Sequence, residues 1–374
     1  LNLNFYKNNF SMNANLRVNE DLSKKRSDRY EYIPNFSFTK NFENNENYTW
    51  YSDALIKNYN TNITEKNLLN KISYNSGSKF LNSGVISENN FIIKNFTSDA
   101  ENSTNYKNDL SSKVIPIFEK NYSLPMQKNS NNHVNIITPK ISFRVSPNHT
   151  KNDRKTDRKI DYENIFNIER LGLQDSNEGG ISATYGYEYI KSDKDSSNEK
   201  IRFGIANNLR IRENDDLPAS SNLGKKMSDV VGEISYKPIQ NIELSYDYSL
   251  KNNLSQINYE LIGFDFFLKN FSTKFEYSNE NNSLTKSSYM YNQTSYNFND
   301  SNSLIYETRR NKELDFTEFY NLIYEYKNDC LTAGIEYSKE YYSDDDFKPT
   351  ENLFFKISII PFGGMNTPNL KKWI

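Results

Sequence analysis

Apolar and polar residues alternate with a period of two along most of this chain. From Asn241 to Leu250 the even positions are Ile242, Leu244, Tyr246, Tyr248 and Leu250, and the odd ones Asn241, Glu243, Ser245, Asp247 and Ser249. Ile181, Ala183, Tyr185, Tyr187 and Tyr189 face away from Ser182, Thr184, Gly186 and Glu188, and Ile201 to Ile211 alternates with Arg202 and Arg210 on its polar side. Leu353, Phe355, Ile357 and Ile359 form the last such face. Successive side chains of an extended backbone point to opposite faces, so this pattern predicts half-buried strands. Counting them gives roughly 19 strands, each about as long as a tilted membrane-crossing strand, separated by Asn/Asp/Ser/Gly turns. One stretch departs from the pattern. Tyr162, Ile165, Phe166 and Ile168 have helical spacing, which predicts a short helix inside a long loop, 147–180.

Composition limits what such strands can build. The net charge is -2, which gives no electrostatic case for nucleic acid. Apolar residues make only 36% of the chain, yet 28 Tyr and 24 Phe argue against disorder. No apolar run is long enough for a transmembrane helix. Connections sort into short turns (238–240, 299–302, 327–329) and longer polar ones (146–180, 213–228, 338–351), as the two rims of an outer-membrane barrel do. A soluble sandwich of this many strands would need edge protection, and a solenoid would show a repeat that is absent here. The expected fold is therefore all-β, an antiparallel transmembrane outer-membrane β-barrel forming one domain over 1–374. An odd strand number cannot close a bacterial single-chain barrel. With a start at Leu1 that shows neither initiator Met nor signal region, the expectation is an N-terminally truncated, incomplete barrel. The other reading is a count off by one in the Asn-rich segments before residue 130.

The sequence holds no catalytic constellation, and the expectation is that the chain is not an enzyme and needs no cofactor or metal. His133 and His149 lie in polar segments without ligand-spaced neighbours, and no phosphate-binding or nucleophile-elbow motif occurs. The run Asp344, Asp345, Asp346 reads as a solvated loop. Polar strand positions (Arg202, Arg210, Glu243, Asp247, Glu276, Glu336) would line a wet lumen, and the apolar positions would meet lipid. In the long loop, Arg170, Asp175 and Glu178 stand close together beside Gly179 and Gly180, glycines that suggest close backbone approach or positive φ. Phe166 on the helical face needs something apolar to cover. The loop, with Gly172 at its centre, is expected to fold inward and cap the lumen, with Arg170 bonded to Asp175 or a lumen carboxylate. Asn352 to Ile360, carrying Leu353, Phe355, Ile357 and Ile359 and followed by Pro361, reads either as an ordinary terminal strand or as one side of a weak lateral seam. Cys330 is the single cysteine and by spacing alone has no partner.

Three stretches resemble the LptD family of outer-membrane lipopolysaccharide-assembly proteins: I-T-P-K-I-S-F-R-V-S-P at 137–147; D-Y-E-N-I-F-N-I-E-R-L-G-L-Q-D-S-N-E-G-G-I-S-A-T-Y-G-Y-E-Y at 161–189; and the turn with Tyr326, Asn328 and Cys330 before a last strand ending P-F-G. The second carries Asn164, Phe166, Arg170, Gly172, Asp175, Glu178, Gly179, Tyr185 and Gly186 in the family's pattern. The resemblance runs over about 134–364, and upstream it rests on strand pattern and on S-D-R-Y-E-Y-I-P-N-F at 27–36. The family's jelly-roll domain, first strands and second neighbouring cysteine are not in this sequence. The resemblance implies transport of lipopolysaccharide into the outer leaflet through the lumen and a lateral seam, in the outer membrane. It implies an LptE-like plug lipoprotein and an LptA-like bridge protein as partners, besides lipopolysaccharide and membrane lipid. It also implies a disulfide from Cys330 to a periplasmic domain outside this chain, against a free thiol at a strand end. The runner-up function is a passive porin or ligand-gated uptake barrel, and a third is a soluble Asn-rich adhesin.

Overall fold

The computed structural model describes residues 1–20, 30–42, 46–60, 63–103, 106, 108–147, 151–173, 176–341 and 350–359. Its strands are β1 (Asn2–Lys7), β2 (Phe10–Glu20), β3 (Tyr30–Asn41), β4 (Asn47–Asn60), β5 (Ile63–Asn75), β6 (Lys79–Phe80), β7 (Ile86–Glu101), β8 (Ser111–Ser123), β9 (Met126–Asn129), β10 (His133–Ser146) and β11 (Gly180–Asp193). They continue as β12 (Glu199–Arg210), β13 (Val230–Tyr236), β14 (Ile242–Leu250), β15 (Ile257–Leu268), β16 (Phe271–Asn281), β17 (Lys286–Asn299), β18 (Asn302–Asn311), β19 (Phe316–Lys327), β20 (Leu331–Glu340) and β21 (Thr350–Ile359). One short 3-10 turn, Ala219–Ser221, lies between β12 and β13.

The chain gathers into two compact units. Unit 1 comprises Leu1–Gln127, Ile136–Glu188 and Ala206–Val230, and unit 2 comprises Lys128–Asn135, Tyr189–Ile205 and Val231–Ile374. In unit 1 an antiparallel ladder runs β1–β2–β3–β4–β5–β7–β8–β10. In unit 2 each strand from β14 to β21 pairs with the next, also antiparallel. Neighbours in sequence pair because short turns bring them together at little loop-closure cost.

Each unit hides polar side chains and exposes apolar ones. In unit 1, Ser142, Arg144 and Ser146 of β10 are buried, while the intervening Ile141, Phe143 and Val145 are 36%, 46% and 45% exposed. β8 exposes Val114 and Phe118 and buries Glu119, but it also buries Ile115 and Ile117, against which Ile168 packs. In unit 2, Ser278, Glu280, Glu307 and Ser338 are buried, and Leu244, Ile262, Leu322, Ile335 and Tyr337 are exposed. A water-soluble sheet does the reverse. A sheet whose outer face meets hydrocarbon puts its apolar side chains there and pairs its backbone groups within the sheet.

Two expectations about the fold are corrected. The described residues form 21 strands and not about 19, because two connections carry strands of two and four residues, β6 and β9, too short to read as alternating segments. The expected transmembrane barrel, incomplete on its N-terminal side, is also corrected: the strands form an antiparallel sheet in which β1 pairs with β2 and β21 with β20, and no pairing among the described residues closes it. Period-two patterning specifies strands and faces but not whether the two edge strands meet. The 162–171 segment forms consecutive turns. One bond spans four residues (Ile165 N–H to Asp161 O, 3.1 Å), while those from Asn167, Arg170 and Gly172 reach back three.

Candidate functional site: a buried arginine cluster beneath the 151–179 loop

The loop between β10 and β11 lies on the polar face of unit 1. Its apolar side chains anchor it: Ile160, Tyr162, Ile165, Leu171 and Leu173 are all buried, and Ile168 packs on Ile92, Ile115 and Ile117 of β7 and β8. Fully burying one such side chain contributes about 1.5–3 kcal/mol. That supplies the apolar cover which the helical spacing of 162–168 calls for.

Charge decides where the loop sits. Arg170, 6% exposed, donates from Nε to Glu178 Oε2 at 2.7 Å and from Nη2 to Glu178 Oε1 at 2.6 Å. Its remaining donors reach the Ile165 carbonyl (3.1 Å), Thr184 Oγ1 (2.8 Å), Ser182 Oγ (3.2 Å) and Asn208 Oδ1 (3.0 Å). Arg210 of β12 donates to the same Glu178 Oε1 at 2.7 Å and to the Gly179 carbonyl. Arg144 of β10 donates from Nε to the Ile168 carbonyl at 3.0 Å and from Nη1 to the Glu178 carbonyl. The Glu178 carboxylate is thus bonded by two guanidinium groups, those of Arg170 and Arg210, and a third, that of Arg144, holds the Glu178 backbone and lies 4.0 Å from Oε1. Burial alone would push the Glu178 carboxyl up, but Arg170, Arg144 and Arg210 outweigh it and hold it down at about 2. A second tie lies one turn earlier. Glu169 accepts from Lys94 of β7 at 2.6 Å and from Lys71 of β5 at 2.8 Å, and Lys94 also donates to the Leu173 carbonyl at 2.6 Å. Burial works against the charged form of Glu169, and Lys94 and Lys71 bring it below its ordinary value.

The glycines have separate tasks. Gly180 sits at φ +103, and an added Cβ would lie 2.8 Å from Arg210 Nη2. Gly172, at φ +58, has open space where a Cβ would be, beside a cavity of about 480 Å³ lined also by Asn164, Asn167, Arg158 and Arg170. Phe166 meets Tyr162 edge-on with ring centroids 6.1 Å apart, and Lys140 lies over both rings. Asp175 lies outside the described residues, and Glu178 is the acid that Arg170 holds. Sequence reasoning passed over Arg144, Lys94, Lys71, Glu169 and Asn208. Arg144 and Lys94 occupy polar positions of alternating strands, but nothing in that alternation says which polar residue meets a loop.

The other expected positions lie elsewhere. Leu353, Phe355, Ile357 and Ile359 are exposed on the apolar face of β21, and Pro361, His149 and Asp344 to Asp346 fall outside the described residues. Cys330 is a free, exposed thiol in the turn before β20, where Asn328 Oδ1 accepts from the Cys330 and Leu331 N–H groups at 3.0 and 2.8 Å.

Comparison with known proteins gives two results of different kinds. The fold is similar to solved siderophore and iron receptors. One is PirA of Acinetobacter baumannii (8% identity, TM-score 0.47, 94% of this chain and 68% of that one). Another is the ferric enterobactin receptor PfeA of Pseudomonas aeruginosa (6%, 0.47, 95% and 69%). A third is the iron transporter FrpB of Neisseria meningitidis (8%, 0.47, 95% and 70%). These are uptake receptors, a different class of barrel from the one the sequence motifs resemble, and at such identity the likeness is one of fold and assigns no cargo. Nothing among the described residues shows the expected translocon route through a lumen and lateral seam, the LptE-like plug or the LptA-like bridge protein, and these expectations are set aside. No curated protein matches the sequence. The model of a sequence family, described as LptD: LPS transport system D, matches residues 1–320. That range begins well upstream of the quoted motifs and ends before the Cys330 turn. The protein is an outer-membrane protein and not an enzyme, and, with the family's pattern running through most of its length, the chain belongs to the LptD family.

Proposed function

We propose that this chain is the membrane wall of a gated transport protein, with the 151–179 loop as a cap that closes the polar face of unit 1. The observation that carries the reading is the hold on Glu178: three buried arginines keep the loop against the strands. An open pore has no use for so costly an arrangement, because buried charges need partners and excellent geometry to be tolerated. That favours a gate over a passive porin. The apolar outer faces of both units are what a bilayer requires.

The cargo is a question for experiment. The family is one of lipopolysaccharide transport, and the proteins of similar fold are siderophore and iron receptors. A photo-crosslinking residue at Asn167, beside the cavity at Gly172, should capture the cargo in the full-length protein. Recovery of a glycolipid or of a ferric chelate assigns it, and capture of neither removes this cavity from the route.

The cap itself is tested by deleting 161–178 in the full-length protein. Entry of large antibiotics should rise while protein abundance holds. Unchanged permeability at normal abundance would refute the cap.

A further inference from the structure

We infer that the connection between β12 and β13, residues 211–229, is a strap that holds the cap shut, and that the cap is released when these two loops part. The inference rests on the capping reading above.

The two loops are joined backbone to backbone and side chain to backbone. The Asp153 N–H donates to the Asp216 carbonyl at 2.8 Å, and the Ala219 N–H to the Arg154 carbonyl at 3.1 Å. Ser220 is used twice: its Oγ accepts from the Arg158 N–H at 3.1 Å and donates to the Arg158 carbonyl at 2.9 Å. These bonds fall on 153–158, earlier in the loop than Arg170 and Glu178 of the arginine cluster. The cap is thus held by charge over 169–178 and by the strap over 153–158.

The strap has a rigid interior of its own. Leu217 and Leu223 are 2% and 0% exposed, and Ser221 and Asp229 are buried with them. Asn222 takes a left-handed conformation (φ 53) that closes the short 3-10 turn, and its side chain donates to Asp229 Oδ1 at 2.7 Å. The Asn214 N–H donates to the Gly224 carbonyl at 2.8 Å, pinching the strap at its base. At Gly224 an added Cβ would run into the Asn214 carbonyl oxygen, which is backbone and cannot swing aside. Gly224→Ala therefore deforms the strap without touching any residue of the cap. These strap-to-cap bonds join backbone and hydroxyl groups, whereas the bonds of the arginine cluster are charged and buried, so the strap is the side that gives first.

Two measurements on the full-length protein in detergent micelles and in cells test this. Limited proteolysis reads exposure of 151–179, and uptake of a large antibiotic reads the gate. Ser220→Ala, which removes both Arg158 bonds, should speed cleavage within the cap by about tenfold. Gly224→Ala should speed it further and raise antibiotic entry. Cleavage at the wild-type rate in both variants would overturn the strap. If Gly224→Ala does not accumulate, Ser220→Ala alone decides. The strap and the cap fail separately: a 161–178 deletion that does not leak refutes the cap as a gate, while the cleavage rate of Ser220→Ala still reports whether the strap holds the loop.

Discussion

Glu178 carries one negative charge among three guanidinium groups, and its protonation should decide whether the loop stays down. Its folded pKa, about 2, lies below the unfolded value near 4.5. A depressed carboxyl contributes stability that is fully present above the unfolded pKa and is lost as pH falls through the folded one. Protection of the cap from protease should therefore be constant above pH ~4.5 and decline from there to about pH 2. Glu178→Gln should flatten that profile and leave the cap loose at neutral pH. A profile that keeps its shape in the variant would place the titration elsewhere. Arg170→Met should be the most damaging single change at the site. It leaves polar groups of Glu178, Ser182, Thr184 and Asn208 without their shared donor, at a cost of about 3–5 kcal/mol for the broken buried pair. Arg170→Lys keeps the charge but not the fork that bonds both carboxylate oxygens, and should recover only part of the loss. Protease protection of the cap, measured for both variants, reads this order.

At the scale of elements, strands and loops have opposite solubility requirements. Strands tolerate apolar exposure because lipid covers them. Loops must satisfy their backbone groups internally or in water. The Lys327–Cys330 turn does so through Asn328, whose side chain takes two N–H groups, and this leaves the Cys330 thiol exposed. In unit 2 the turns at 269–270, 300–301 and 328–330 are shorter than those at 251–256, 282–285 and 312–315 at the strands' other ends. We propose that the short-turn rim is periplasmic. Lys327→Cys should then resist labelling by an impermeant thiol reagent applied to intact cells, in a Cys330→Ser background. Labelling from outside would invert the topology. On that rim Cys330 would sit in an oxidising compartment. The proposed disulfide to a segment outside this chain should appear on non-reducing electrophoresis as a mobility shift of the full-length protein, abolished by Cys330→Ser. Equal mobility of the two would leave the thiol free.

For the whole molecule the governing fact is the inversion of faces in each unit. Phe143 lies in the apolar row of β10 between Ile141 and Val145 and is 46% exposed. Phe143→Arg should destabilise folding into vesicles by about 1–4 kcal/mol, the cost of a charge on the lipid face, which grows toward the bilayer midplane. Phe143→Leu should change little. A urea titration of vesicle-folded protein measures both, and equal stability of the two variants would mean that this face does not meet lipid.

The period-two alternation determined the strands and which residues share a face, because an extended chain allows its side chains only two directions, and the short turns between them set the antiparallel order. The sequence also carried the chemistry of the loop: Arg170, Glu178 and the Gly179–Gly180 pair mark it as a charged segment with backbone freedom at its end. Three things were decided only in three dimensions. Arg144 and Arg210 are separated from each other by 66 residues of chain, and strand register alone brings both to Glu178. β6 and β9 exist because neighbouring strands offer them unpaired backbone, not because two or four residues show a period. The union of 153–158 with 216–220 left no trace in the sequence, since backbone carbonyls and N–H groups are the same at every residue. Their partners are chosen by which loops the sheet holds side by side.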